Sequence, residues 1–274
     1  MGRDSRDTDN FLYRCRTTLE TGFNRLVTPE NSSLRLLSYS RLILDSGKDK
    51  FTFNSGKEEF FFFIIEGSVN VKFNGQEIEL KKFDSIYLST EENIVFCSRE
   101  KRVDICVVSA PSDFHCFSRV IRYDEVLKNQ KLHYFIGSEK TNDYREQHVY
   151  LYSEIPAARL LFGFARGYPG NWCSVPPHKH TDRMEEIYVF FDMEDSPCGV
   201  QFVYDDDKNL SHSYLVQNED AVIVPYGYHP NVAFPGKKLN FIWAMASHKE
   251  NDRKLIIDVE PEFCSDGRQR IESF

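Results

Sequence analysis

Two histidines one residue apart, His178 and His180, precede the paired carboxylates Glu185 and Glu186, and a third imidazole, His229, stands further along the chain. Side chains alternate along an extended strand, so the two imidazoles of Pro176-Pro177-His178-Lys179-His180 point to one side. A carboxylate just past a short loop, with the imidazole that ends Val224-Pro225-Tyr226-Gly227-Tyr228-His229, completes three nitrogens and one oxygen. That set suits a divalent transition metal with a position left for water or substrate. A His-x-His pair alone is more often a solvated loop. Two features argue for the metal here. The glutamates open the apolar run Ile187-Tyr188-Val189-Phe190-Phe191, where a carboxylate is costly to bury, and His229 follows the apolar run from Ala221 to Val224.

The elements that would position these groups are short and β-like. The first eighteen residues are polar and charged, and are expected to be frayed or used in assembly. From Ser33 onward, apolar runs alternate with turn residues: Leu34 to Leu44, Glu59 to Gly67, and Ser68 to Phe73. Asn74-Gly75 is a hairpin signal, with Gln76 to Leu80 alternating as the returning strand. Strands spaced so closely favour a barrel or sandwich over a βαβ fold. Pro111 to Lys140 is less regular, with a short helix expected over Tyr123–Leu127, and reads as a connection. A second series begins near Arg145 and repeats the style of the first. The halves thus read as divergent copies, 19–140 and 141–274. Where the histidine pair would fall, the first offers Phe53, Asn54, Ser55 and Lys57, so one copy is expected to hold a metal and the other to be structural.

Composition limits the classes of function. The chain has 274 residues, long enough for one large β domain or two smaller ones, and its 23 Phe and 14 Tyr favour pleated, half-buried surfaces. A formal charge of −8 argues against a nucleic-acid partner. No apolar run of membrane-spanning length occurs, and the start lacks the apolar core of a secretory signal. Seven cysteines without a Cys-x-x-Cys pair fit free thiols in a reducing compartment, so a cytoplasmic protein is expected. No dinucleotide fingerprint or phosphate loop appears.

Gly170, His178, His180, a glutamate at 185 or 186, and Pro225-Tyr226-Gly227-Tyr228-His229 resemble the two motifs of the cupin superfamily, the second with one residue fewer. More closely, Pro176 to His180, Glu185-Glu186-Ile187-Tyr188 and Val224 to Pro230 look like the 5-deoxy-glucuronate isomerases of inositol catabolism. Arg183-Met184-Glu185, Asn218 to Ile223 and Phe241 to Met245 look like the 5-keto-4-deoxyuronate isomerases of pectin catabolism. The resemblance is sharp from Gly163 to Ala246 and diffuse before Leu151. It implies an all-β bicupin: two jelly-roll barrels in tandem with a metal site in the C-terminal barrel only. Two departures stand out. The loop Thr181 to Met184 is shorter than in the inositol branch, and the pectin branch has a single glutamate. Strand parity selects Glu186 as the ligand with His178, His180 and His229, because Tyr188 then follows it inward and leaves a hydroxyl beside the metal.

The implied reaction is aldose–ketose isomerisation of a small sugar acid by a homo-oligomer. The metal would polarise the substrate oxygens. Zinc is the first expectation; manganese, iron and nickel also suit the donors. Glu185 and Tyr188 are the candidate catalytic groups, with a metal-bound hydroxide as another possible base, and Arg183 is the candidate for the substrate carboxylate. Lys179 alternates away from the histidines. Trp172, Gln201 and Trp243 are candidate lining residues, although barrel aromatics are more often core. An iron-dependent dioxygenase and a non-enzymatic sugar-binding bicupin are the competing readings.

Overall fold

The computed structural model describes residues 10–45, 50–98, 102–180, 183–209, 211–264 and 270–272. Its strands form five antiparallel sheets. The largest has seven strands, in the order Leu12–Arg14, Asp220–Val224, Met184–Phe190, Asn240–Ser247, Leu160–Gly167, Arg145–Leu151 and His133–Ile136. A six-stranded sheet is its counterpart in the first half, with Glu58–Glu66 and Arg102–Pro111 at its centre. Each is accompanied by a four-stranded sheet, and a three-stranded one pairs His178–Lys179 with Ile256–Val259 and Arg270–Glu272.

The aromatic run from Phe60 to Phe63 belongs to a strand buried on both faces, which explains why it is continuously apolar. Phe60, Phe62 and Ile64 enter the core of the first half, among Leu42, Val71, Phe96 and Ile105. Phe61 and Phe63 point the other way, onto the seven-stranded sheet; Phe61 and Phe162 lie with ring centroids 4.4 Å apart. The two large sheets therefore pack against each other through one shared aromatic core. The Asn74-Gly75 hairpin forms with both residues at positive φ, 50° and 74°. Among the described residues the one α-helix is Tyr123–Lys128.

Two expectations need correction. Two tandem jelly-roll barrels with one metal site, confined to the C-terminal barrel, are not what forms. Among the described residues no sheet closes on itself, and a second group of potential ligands, His133, Glu146 and His148, begins before residue 141. Strand count is legible in a sequence, but closure depends on which edges hydrogen-bond. The second group was hidden because its histidines meet across neighbouring strands, where His133 pairs with His148. The stretch ahead of residue 19 is also not frayed over its described part. Phe11 is buried, Leu12–Arg14 extends the seven-stranded sheet along Asp220–Val224, and Arg14 forms an ion pair with Asp220.

Candidate metal centre

One face of the seven-stranded sheet forms the floor of a cavity of about 400 Å3. Strand alternation selects its lining: Glu186 and Tyr188 from one strand, Phe241, Trp243 and Met245 from the next, and Arg145 and Gln147 from another. Gly163 lies between, and a Cβ there would collide with the Trp243 ring, so only glycine lets the indole lie across the floor. The roof is the segment 174–176, His178, and the apolar Leu255 and Ile257.

His178, His180 and His229 each offer a ring nitrogen, and these lie within 4.8 Å of one another. Glu186 completes the group, its Oε2 2.9 Å from His180 Nε2 and 3.2 Å from His229 Nε2. Donors bound 2.0–2.2 Å from a common ion stand roughly 3–3.5 Å apart, so the carboxylate and two imidazoles already have ligand spacing. A carbonyl oxygen can only accept a hydrogen bond. His178 Nδ1 therefore donates to Pro176 O at 2.8 Å and His229 Nδ1 to Gly227 O at 3.0 Å, leaving both Nε2 lone pairs free for an ion. Gly227 makes this geometry possible: it has φ 78°, and a Cβ would strike the Tyr204 carbonyl. Glu186 Oε1 and His229 Nε2 are buried without a hydrogen-bond partner, an arrangement that a cation would satisfy. The residues fit a divalent metal.

The electrostatics agree with ligand protonation states. Burial lowers the His178 pKa, aided by His229 and His180, to about 3, which keeps its imidazole neutral. Burial alone would raise the Glu186 pKa, but the neighbouring His180 and His229 rings outweigh it and hold the carboxyl at about 2. Tyr188 shows the opposite: burial and then the Glu186 charge raise its pKa well above the ordinary phenol value, so it stays protonated. Its hydroxyl lies 2.9 Å from that of Ser174.

The other expected residues are placed elsewhere. Glu185 points to the opposite face from Glu186, and its carboxylate accepts the backbone N–H groups of Arg35, Leu36 and Leu37. Arg183 lines a separate hollow with Ser247, His248, Lys249, Asp252, Lys254 and Ile256, with none of the three histidines. Lys179 turns away and pairs with Asp206. Gln201 is fully buried and supports the histidine loop, donating to the carbonyls of His229 and Pro230. Trp172 stacks on Phe202 in a larger, mainly apolar hollow of about 580 Å3 across the 175–177 segment, which none of the ligand groups lines. Of the three candidate lining residues, only Trp243 reaches the cavity, donating to Gln147 Oε1 at 3.3 Å. Sequence reasoning missed Arg145, Gln147 and Ser174. The Arg145-x-Gln147 alternation was a signal for one polar face, but a lone strand does not show which face borders a site.

The KduI/IolB family model matches residues 11–264. The chain is 30% identical to a 5-deoxy-glucuronate isomerase of Halalkalibacterium halodurans over 243 residues, covering 81% of this chain and 86% of that one. It is 26% identical to a 4-deoxy-L-threo-5-hexosulose-uronate ketol-isomerase of Oceanobacillus iheyensis over 245 residues, 81% and 84% of the two chains. In fold it is similar to an IolB-like protein of Salmonella typhimurium LT2, with a TM-score of 0.82 at 24% identity, covering 93% of this chain and 98% of that one.

Proposed function

The chain belongs to the KduI/IolB family of cupin-type sugar-acid isomerases, and from that premise we propose that it converts 5-deoxy-glucuronate to 5-keto-2-deoxy-gluconate. The observation that carries this reading is the meeting of three imidazoles and Glu186 at the edge of a cavity that His178 and Glu186 line together with Tyr188 and Ser174. A volume of about 400 Å3 is in the range of small-molecule sites.

Isomerisation moves a proton between the two carbons that carry the aldehyde and the neighbouring hydroxyl. His178, His180, Glu186 and His229 would hold a divalent ion, which would supply Lewis acidity toward those oxygens, with zinc the first candidate for three nitrogens and one oxygen. The chain's own hydroxyls act at the substrate oxygens. Tyr188 remains a neutral phenol and acts as a proton donor toward a substrate oxygen, with Ser174 orienting its hydroxyl. Met245, Phe241, Leu255 and Ile257 keep the site apolar, which strengthens each polar contact in it. Glu185 is left out of this reading, its oxygens accepting backbone N–H groups on the other face.

The test is an NMR assay of the metal-loaded protein with each uronate, under nitrogen and without nicotinamide. Turnover of 5-deoxy-glucuronate supports the reading. Turnover of 5-keto-4-deoxyuronate alone moves the substrate to the second reading, which the Oceanobacillus iheyensis relative favours. Reaction of neither, with oxygen uptake by iron-loaded protein, replaces isomerisation by oxygenation.

A further inference from the structure

Arg145 opens the strand Arg145–Leu151 with its side chain on the cavity face, and among the described lining residues it is the single arginine or lysine. It is only 5% exposed. Its Nη1 donates to Asp143 O at 2.9 Å and its Nη2 to Val175 O at 2.6 Å, while Nε is buried with no partner. The Asp143 carboxylate acts on it only through space and forms no ion pair with it, which is unusual for a buried guanidinium. Both acceptors are neutral carbonyls. The positive charge is held in place without being neutralised by contact.

The way it is held ties it to the chemistry. Three consecutive residues of the roof each engage one group of the cavity: Ser174 the Tyr188 hydroxyl, Val175 the Arg145 guanidinium, and Pro176 the His178 ring. A sugar acid carries its carboxylate at the far end of the carbon chain from the carbonyl that isomerises. Its receiver must therefore share the cavity with the metal group but stand off from it. Arg145 lines the cavity with His178 and Glu186 while its hydrogen bonds go to other groups; Arg183 lies in its own hollow and does not share the cavity. We propose that Arg145 receives the substrate carboxylate and selects sugar acids over neutral sugars. This rests on the sugar-acid isomerase reading given above.

The test compares gluconate with glucitol, its neutral counterpart, by calorimetric titration of the zinc-loaded protein, so that it does not depend on which uronate is turned over. Wild-type protein should hold gluconate more tightly than glucitol. Arg145→Met should weaken gluconate about 30-fold, the scale of one charge-assisted pair, and glucitol less than about 3-fold. Arg145→Lys should recover part of the gluconate affinity, and both variants should keep their zinc. On the natural substrate the loss should fall mainly on KM. Wild-type protein that binds gluconate no better than glucitol overturns the proposal, and so do variants that lose both ligands alike or lose zinc, which would mark Arg145 as a brace for the 174–176 segment. Failure of the wild type to isomerise either uronate would instead count against the isomerase reading, leaving the binding comparison intact.

Discussion

Replacing Glu185 by alanine should destabilise the protein by about 2–4 kcal/mol and leave its metal in place. Glu185 is 3% exposed and accepts three backbone N–H groups, from Arg35, Leu36 and Leu37, in the loop that leads into the strand Ser38–Asp45. A hydrogen bond to a charged group contributes roughly 1.5–3 kcal/mol, but three do not simply add. Arg35 is exposed and Leu36 partly so, and their N–H groups regain water in the variant; Leu37 is fully buried and its N–H does not. Loss of the carboxylate also removes the cost of burying it. What remains is one stranded donor and two weakened ones, hence the intermediate figure. Glu185→Gln should cost roughly half as much, because one oxygen still accepts while the new NH2 opposes a backbone donor. The assay is urea unfolding of metal-loaded protein beside elemental analysis. An unfolding curve that does not move, or metal content that falls to the level of Glu186→Gln, would refute the reasoning.

Glu186→Gln should lower bound metal severely with the fold retained, read by elemental analysis and circular dichroism; full metal occupancy would remove Glu186 from the ligand set. Tyr188→Phe should keep the metal and lower kcat about 100-fold or more, as expected for loss of a positioned proton donor. Burial, with help from His133 and Arg166, lowers the His148 pKa to about 3. Its folded pKa is therefore below its unfolded value near 6.5. Above that value both states are neutral and stability has no slope from this group. As pH falls from about 6.5 toward 3 the unfolded chain takes a proton that the folded protein refuses, and stability declines by on the order of 5 kcal/mol in all. His148→Phe should flatten this acid limb of the urea midpoint, and an unchanged limb would count against it.

Much of the site was legible because it obeys strand parity. Alternation alone put His178 and His180 on one side and divided Glu185 from Glu186, and the structure brings Glu186 to the imidazoles while Glu185 faces the other half. The hairpin at Asn74-Gly75 and the helix from Tyr123 were equally local, each set by residues that meet their own neighbours. What could not be read are relations between strands distant in sequence. Arg145 shares a cavity with Tyr188 through the order of the seven-stranded sheet, and His133 faces His148 through pairing. Arg183 was chosen for nearness in sequence to the histidines, but the chain turns there: its backbone N–H bonds to His180 O, its carbonyl accepts from His248, and its side chain leaves the cavity.

The pairs of glutamates in the two halves explain why Glu185 looked catalytic. In the first half Glu59 is fully buried and accepts the backbone N–H groups of Ala158, Arg159 and Leu160, in the loop leading into the strand Leu160–Gly167. In the second half Glu185 does the same for the loop 35–37 that leads into Ser38–Asp45. Each carboxylate thus clamps the other half's chain at the entry to a central strand, and together they fix how the two large sheets face each other. The residue after each clamp points the opposite way, into its own half. In the first it is Phe60, packed among aromatic rings; in the second it is Glu186, beside three imidazoles. A buried carboxylate thus serves packing at both 59 and 185, and the position one residue later, with the three histidines of the second half, separates an apolar core from a metal centre. Glu59→Ala should therefore destabilise at least as much as Glu185→Ala, about 2–4 kcal/mol or more because the buried Tyr87 hydroxyl also loses its acceptor, with no effect on metal affinity. A Glu59 variant as stable as wild type would break the equivalence and leave the Glu185 contacts without a structural parallel.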